Sequence, residues 1–75
     1  MTRLPALTGK AVISALSRAG WAIKSHRGSH VKMVKTGVRN PVIVPVHGGE
    51  TIPRGTLHNI ITDARLTVEE FLRLL

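Results

Sequence analysis

A short loop containing Gly28 joins two strand-like segments and fixes much of the architecture open to this chain. The segments run over residues 21–26 and 30–34, and Arg27-Gly28-Ser29 separates them. A loop of about three residues that includes a glycine is typical of a hairpin, because glycine readily adopts the positive φ that such turns require. The sequence therefore predicts an antiparallel β-hairpin with Gly28 at its tip.

The strand register follows if the loop consists of Arg27, Gly28 and Ser29. His26 then lies opposite His30, and the alternation continues along both strands. Directly opposed residues project from the same face of a sheet. The sequence thus predicts one apolar face and one basic face, made respectively by Trp21, Ile23, Val31 and Met33 and by Lys24, His26, His30 and Lys32.

Helical patterns lie on both sides of the hairpin. Before it, apolar residues recur at three- and four-residue spacing between the N-cap candidate Thr8 and the terminator Gly20, which predicts a helix over residues 8–19. After it, residues 53–64 carry an i, i+3, i+4, i+7 apolar stripe typical of an amphipathic helix. Thr67 and Glu70 match a capping box and predict a short terminal helix.

A third strand is predicted over residues 42–46, which are β-branched apart from Pro45. Proline cannot donate to a sheet ladder, so this strand is expected at an edge, or Pro45 at its irregular end. The resulting order is α-β-β-β-α with a short C-terminal helix. We expect an α+β fold in which both helices pack on one face of a three-stranded antiparallel sheet and the other face stays open.

The composition limits the class of protein. Seventy-five residues suit one small domain with a modest core, here residues 1–75. The sequence contains no cysteine, which excludes disulfides and thiolate zinc sites. Residues 1–7 lack the continuous apolar core of a signal peptide, and no apolar run reaches membrane-spanning length. We therefore expect a cytoplasmic protein that does not associate with a membrane.

The charge is strongly asymmetric along the chain. Eleven Lys and Arg residues face four acidic ones, for a formal net charge of +7, and no acidic residue precedes Glu50. A segregated positive field attracts polyanions, so nucleic acid is the leading partner and an acidic protein surface the next. A basic surface that serves only solubility is the remaining interpretation, although such surfaces usually mix both signs of charge.

Several short motifs, taken together in order, resemble HicA-type toxins over nearly the whole chain. They are Leu4, Thr8-Gly9-Lys10, Leu16, Ala19-Gly20-Trp21, Gly28-Ser29-His30, Val44-Pro45-Val46-His47, Ile52, Gly55-Thr56-Leu57, Leu66-Thr67, Glu69 and Phe71. The resemblance implies a fold like the double-stranded-RNA-binding domain and cofactor-independent cleavage of messenger RNA. It also implies a HicB-type antitoxin as partner and places the catalytic histidine at His30. One departure is Arg65, where many members have the glycine that suits a left-handed helix end.

The residues around His30 permit this chemistry. RNA supplies its own nucleophile, the 2′-hydroxyl, and an imidazole with an ordinary pKa near 6.5 suits removal of its proton. We expect cationic side chains and backbone N–H groups near the loop to bind the phosphate. The RNA-binding candidates are Lys24, Arg27, Gly28, Ser29, Lys32 and Lys10.

A second acid or base is harder to assign from sequence. His26 is the geometric candidate in the predicted register, whereas His47 lies at a strand end where it suits either substrate contact or a structural hydrogen bond. His58 lies on the polar side of a helix and is expected to be solvated. No Asp, Glu or Cys lies near His26 and His30 in the sequence, so a metal site is not expected.

Three functions remain open at this stage. A metal-independent endoribonuclease toxin is the leading hypothesis, and a non-catalytic RNA-binding module of the same fold is the alternative. The third is a basic adaptor whose ligand is an acidic protein. Trp21 and Phe71 are the only aromatic residues and both lie in core-facing stripes, so recognition of RNA should depend on phosphate and shape more than on base stacking.

Overall fold

A computed structural model describes residues 3–75, so the first two residues of the predicted lead-in lie outside the described part of the chain. The elements follow in the predicted order. They are α1 (Gly9–Arg18), β1 (Ala22–Arg27), β2 (His30–Val34), β3 (Val42–Pro45), α2 (Arg54–Asp63) and α3 (Val68–Leu72). The α+β architecture predicted from the sequence is confirmed.

The helix boundaries follow from local capping. The Thr8 side chain accepts a hydrogen bond from the backbone N–H of Ala11 at 3.2 Å and begins α1. Thr67 and Glu70 form the predicted capping box, in which each side chain accepts from the other residue's backbone N–H, and it begins α3. Helix α2 ends at Asp63, and Arg65 just beyond it has a φ of 61°. The arginine thus adopts the left-handed conformation that glycine favours.

The three strands form one antiparallel sheet in the order β1-β2-β3. Strand β2 is central, which puts β3 at an edge, and Pro45 is the last residue of that strand. The expected edge position of β3 is therefore confirmed, and Pro45 pairs regularly with His30. The chain continues the pairing by one residue, since the Val46 N–H donates to the Ser29 carbonyl at 2.6 Å.

The predicted register of the hairpin is wrong next to the loop. The turn contains two residues, Gly28 and Ser29, and Arg27 pairs with His30, while His26 pairs with Val31. A β-bulge at Lys24 adds one unpaired residue, so the pairing returns to the predicted one at Ile23 with Met33. The bulge shifts every side chain between it and the turn by one position.

The core lies on one side of the sheet, beneath the helices. Buried apolar residues of β2 and β3 alternate with exposed or half-buried ones, and the buried set meets the apolar stripes of α1, α2 and α3. Trp21, Val31 and Met33 are buried as predicted. Ile23 is not, because it lies on edge strand β1 and remains 56% exposed. Within residues 3–75, no helix covers the opposite face of the sheet, which is open.

None of the helices within residues 3–75 has the length and apolar character needed to cross a lipid bilayer.

Candidate functional site

His30 is the first residue of β2 and is exposed. Its neighbour Val31 is buried in the core, and strand alternation therefore directs the His30 side chain to the open face of the sheet. Arg27 pairs with it across the hairpin and Pro45 pairs with it on the other side. His30 thus lies on the central strand and is paired with one residue on each neighbouring strand.

A shallow hollow of about 400 Å³ lies on the open face beside His30. We call it the basic hollow, and it is lined by Ser25, Arg27, His30, Lys32 and Ile43. Its two cations come from strands that pair directly, since Ser25 lies opposite Lys32 and Arg27 opposite His30. The bulge makes this arrangement, because it turns the side chains of Ser25 and Arg27 to the face that carries His30.

The turn itself leaves the approach to His30 clear. Gly28 has a φ of 54°, and the space where a Cβ would stand contains no atom within 4 Å. Ser29 is half-buried, and its carbonyl accepts the hydrogen bond from Val46. Gly28 and Ser29, the residues predicted to contact phosphate, therefore lie beside His30, and Gly28 is exposed there.

His26 and Lys10 lie away from His30. Both line a groove on the helix side of the sheet, together with Ile13, Ser14, Ile23, Val31 and Val46. The prediction that His26 lies opposite His30 is wrong, because the bulge places His26 opposite the buried Val31. Lys24, the bulge residue, is exposed but does not line the basic hollow.

A second concavity connects His30 with the loop after β3. This cleft of about 390 Å³, here called the His47 cleft, is lined by His30, Pro45, His47, Glu50, Thr51, Ile52, Pro53 and Thr56. His30 lines both the basic hollow and the His47 cleft and so stands between them. The sequence singled out His47 as a site residue but not Glu50, Thr51 and Thr56, because the approach of these three to His30 depends on tertiary packing.

Two further observations limit what this surface can bind. Trp21 and Phe71 are buried, at 3% and 0% exposure, so neither aromatic ring is available for stacking on a base. Within residues 3–75, no three His, Asp or Glu side chains come together in a group that could hold a metal ion. Base stacking on Trp21 or Phe71 is therefore excluded, and the polar groups beside His30 are cationic side chains, a serine hydroxyl and, in the His47 cleft, a second imidazole, a carboxyl group and two threonine hydroxyls.

Comparison with known proteins identifies the family of this chain. A family model described as the HicA toxin of bacterial toxin-antitoxin systems matches residues 9–66, which include every strand and both longer helices. The chain belongs to the HicA toxin family. A HicA domain over these residues contains His30, the basic hollow and the His47 cleft in full.

A solved structure supports the HicA assignment. A chain in a toxin–antitoxin complex from Streptococcus pneumoniae is 30% identical to this one with a TM-score of 0.67. The match covers 79% of this chain and 97% of that chain. No protein of curated function matches the chain significantly.

Proposed function

We propose that this HicA protein is a metal-independent endoribonuclease that cleaves messenger RNA with His30 as its catalytic group. The observation that carries the proposal is the placement of His30, exposed on the uncovered face of the sheet beside Arg27 and Lys32. A buried or helix-covered histidine would not reach a polymer. This one stands where a sugar–phosphate chain can lie across the open face.

The reaction follows from the chemistry of RNA. Neutral His30 takes the proton of the 2′-hydroxyl, the 2′-oxygen attacks the adjacent phosphorus, and the 5′-oxygen departs, which leaves a 2′,3′-cyclic phosphate. Arg27 and Lys32 bind the phosphate oxygens and stabilise the charge that develops in the transition state. No metal ion is required in this scheme, because the nucleophile is already part of the substrate.

We also propose that a HicB-type antitoxin is the protein partner. The similar chain from Streptococcus pneumoniae was solved in a toxin–antitoxin complex. An acidic antitoxin surface laid over the basic hollow would neutralise Arg27 and Lys32 and exclude RNA from His30. Together these proposals make the protein the toxin of a type II toxin–antitoxin system.

The test compares wild type, His30→Ala and His58→Ala in cells and with purified protein. His58 is an exposed histidine on α2 that lines neither the basic hollow nor the His47 cleft, so it is the matched control. We expect wild type and His58→Ala to arrest growth and degrade RNA, and His30→Ala to do neither while its circular dichroism is unchanged. RNA binding without cleavage by the wild type would instead identify a non-catalytic RNA-binding module.

A further inference from the structure

The proposed cleavage also requires a proton on the departing 5′-oxygen, and the structure assigns the donor of that proton. We infer that His47 is the general acid that protonates the departing 5′-oxygen; this inference rests on the proposed ribonuclease function. His30 cannot perform both tasks in one step, because it is accepting the proton of the 2′-hydroxyl as the leaving group departs. A second group on the opposite side of the phosphate is therefore useful.

His47 lies on the same face of the sheet as His30. Pro45 pairs directly with His30, and the Val46–Ser29 hydrogen bond continues the pairing beyond it. Val46 packs against the core, so alternation turns His47 outward like Pro45. Diagonal neighbours across an antiparallel pair are about 7–8 Å apart, a spacing that accommodates a phosphate between two imidazoles.

The loop holds His47 in place. The Glu50 N–H donates to the His47 carbonyl at 3.0 Å and closes a turn whose second residue, Gly48, has a φ of 55°. Immediately after the turn, Thr51 pairs with Thr8 and the Ile52 N–H donates to Leu7 at 2.7 Å. Backbone hydrogen bonds thus anchor the chain on both sides of His47, so its side chain is presented from a fixed base.

His47 suits this role better than the other titratable groups near the site. His26 lines the helix-side groove, on the face away from the substrate. Glu50 lines the His47 cleft together with His30 and His47, and it is the competing proton donor that the test has to exclude. Histidine has the advantage because its ordinary titration range spans neutrality, so a charged donor and a neutral acceptor can coexist there.

The proposed step balances in protons and electrons. Neutral His30 accepts the 2′-hydroxyl proton, the 2′-oxygen forms a bond to phosphorus, and the bond from phosphorus to the 5′-oxygen breaks. Protonated His47 gives its proton to that oxygen as it leaves. The products are a 2′,3′-cyclic phosphate and a free 5′-hydroxyl, with His30 charged and His47 neutral until solvent exchanges their protons.

The test uses a leaving group that needs no proton. A short RNA containing a linkage that the wild type cuts is prepared with oxygen and, separately, with sulfur at the bridging 5′ position, since a thiolate departs unprotonated. Cleavage rates are measured for wild type, His47→Ala, Glu50→Gln, His30→Ala and the control His58→Ala. Thermal unfolding monitored by circular dichroism checks that each variant is folded.

We expect His47→Ala to slow cleavage of the oxygen-linked RNA by about 10²–10⁴-fold, the usual range for a general acid, and to cut the sulfur-linked RNA nearly as fast as wild type. His30→Ala should be slow on both substrates. An equal loss on both substrates for His47→Ala would overturn the assignment, as would sulfur rescue of Glu50→Gln instead. A wild type that cuts neither RNA, or that keeps its activity without His30, would overturn the proposed function itself.

Discussion

Gly20 and Arg65 occupy the same position in two copies of one helix-ending motif. After α1, the Gly20 N–H donates to Ser17 and the next N–H, that of Trp21, donates to Leu16. After α2, the Arg65 N–H donates to Thr62 and the Leu66 N–H donates to Ile61 in the same pattern. These are the two hydrogen bonds of a Schellman motif, and its left-handed position has a φ of 96° at Gly20 and 61° at Arg65.

Replacement of Arg65 by glycine should stabilise the protein. A left-handed conformation costs an L-residue about 1–2 kcal/mol, and the greater freedom of glycine in the unfolded chain recovers about half of that. We therefore expect Arg65→Gly to raise the free energy of unfolding by up to about 1 kcal/mol in urea denaturation. Gly20→Ala should lower the free energy of unfolding. If Arg65→Gly proved less stable than the wild type, the contacts of the arginine side chain would outweigh the strain of its left-handed backbone.

The close approach of α1 to β3 gives a second stability prediction. A Cβ on Gly9 would collide with the Pro45 carbonyl oxygen and approach Val46, so neither the helix nor the strand end can relax cheaply. Overpacking of this kind costs about 1–3 kcal/mol, and we expect Gly9→Ala to lose that much stability in urea denaturation.

Gly55→Ala is the matched control for Gly9→Ala. Gly55 is also in a helix, but a Cβ there meets no atom within 4 Å. Alanine should be neutral there or stabilise α2, because it is the better helix former. Equal losses of stability for Gly9→Ala and Gly55→Ala would show that the close approach of α1 to β3 does not require glycine at position 9.

The sequence predicted the helix ends and the strand order well, because both are set by nearby residues. Thr8, Gly20 and Thr67 act on their own turns of helix, and Pro45 terminates β3 wherever that strand lies. The hairpin register failed because β1 is exposed along its whole length. No buried residue of β1 fixes its pairing with β2. The two-residue turn shifts the register by one residue and the bulge at Lys24 shifts it back, and the apolar pattern of the sequence indicates neither change.

The site was predicted in part for a related reason. Gly28, Ser29, Arg27 and Lys32 lie close to His30 in sequence, and strand pairing alone brings them to it. The His47 cleft requires α2 and the Thr8–Thr51 bridge to converge on the end of β3. This convergence depends on tertiary packing, which short-range sequence patterns do not predict.

Binding of RNA to the open face should depend steeply on salt and on specific cations. Binding is measured in the His30→Ala variant, which separates it from cleavage. We expect the logarithm of the affinity for single-stranded RNA to fall linearly with the logarithm of the salt concentration. Arg27→Gln and Lys32→Gln should each reduce the magnitude of that slope by about 0.7, because each phosphate contact on a single strand releases about 0.7 of a counterion.

Arg73→Gln removes the same charge from the end of α3, in the helix layer, and should leave the slope nearly unchanged. Fluorescence anisotropy of a labelled RNA over a salt series measures all four proteins. An effect of Arg73→Gln as large as that of Lys32→Gln would mean that RNA senses only net charge. A flat response for the parent protein would contradict electrostatic binding altogether.

The capping box of α3 makes stability depend on acid pH. The pKa of Glu70 is lowered from its ordinary value of 4.5, chiefly because its carboxylate accepts hydrogen bonds from the backbone N–H and then the side chain of Thr67. A carboxylate with a lowered pKa in the folded state binds fewer protons than in the unfolded chain. Its contribution is therefore complete above about pH 4.5 and is lost as the pH falls through the lower folded value.

Glu70→Gln isolates this contribution. Glutamine can still accept from the Thr67 N–H but carries no charge, so its cap does not titrate. We expect the wild type to be more stable than Glu70→Gln at neutral pH and the difference to shrink as the pH falls below 4.5, measured by thermal unfolding over a pH series. The other three acidic residues titrate in both proteins and cancel in the comparison. A difference that stayed constant or grew toward low pH would show that the charge of Glu70 does not stabilise α3.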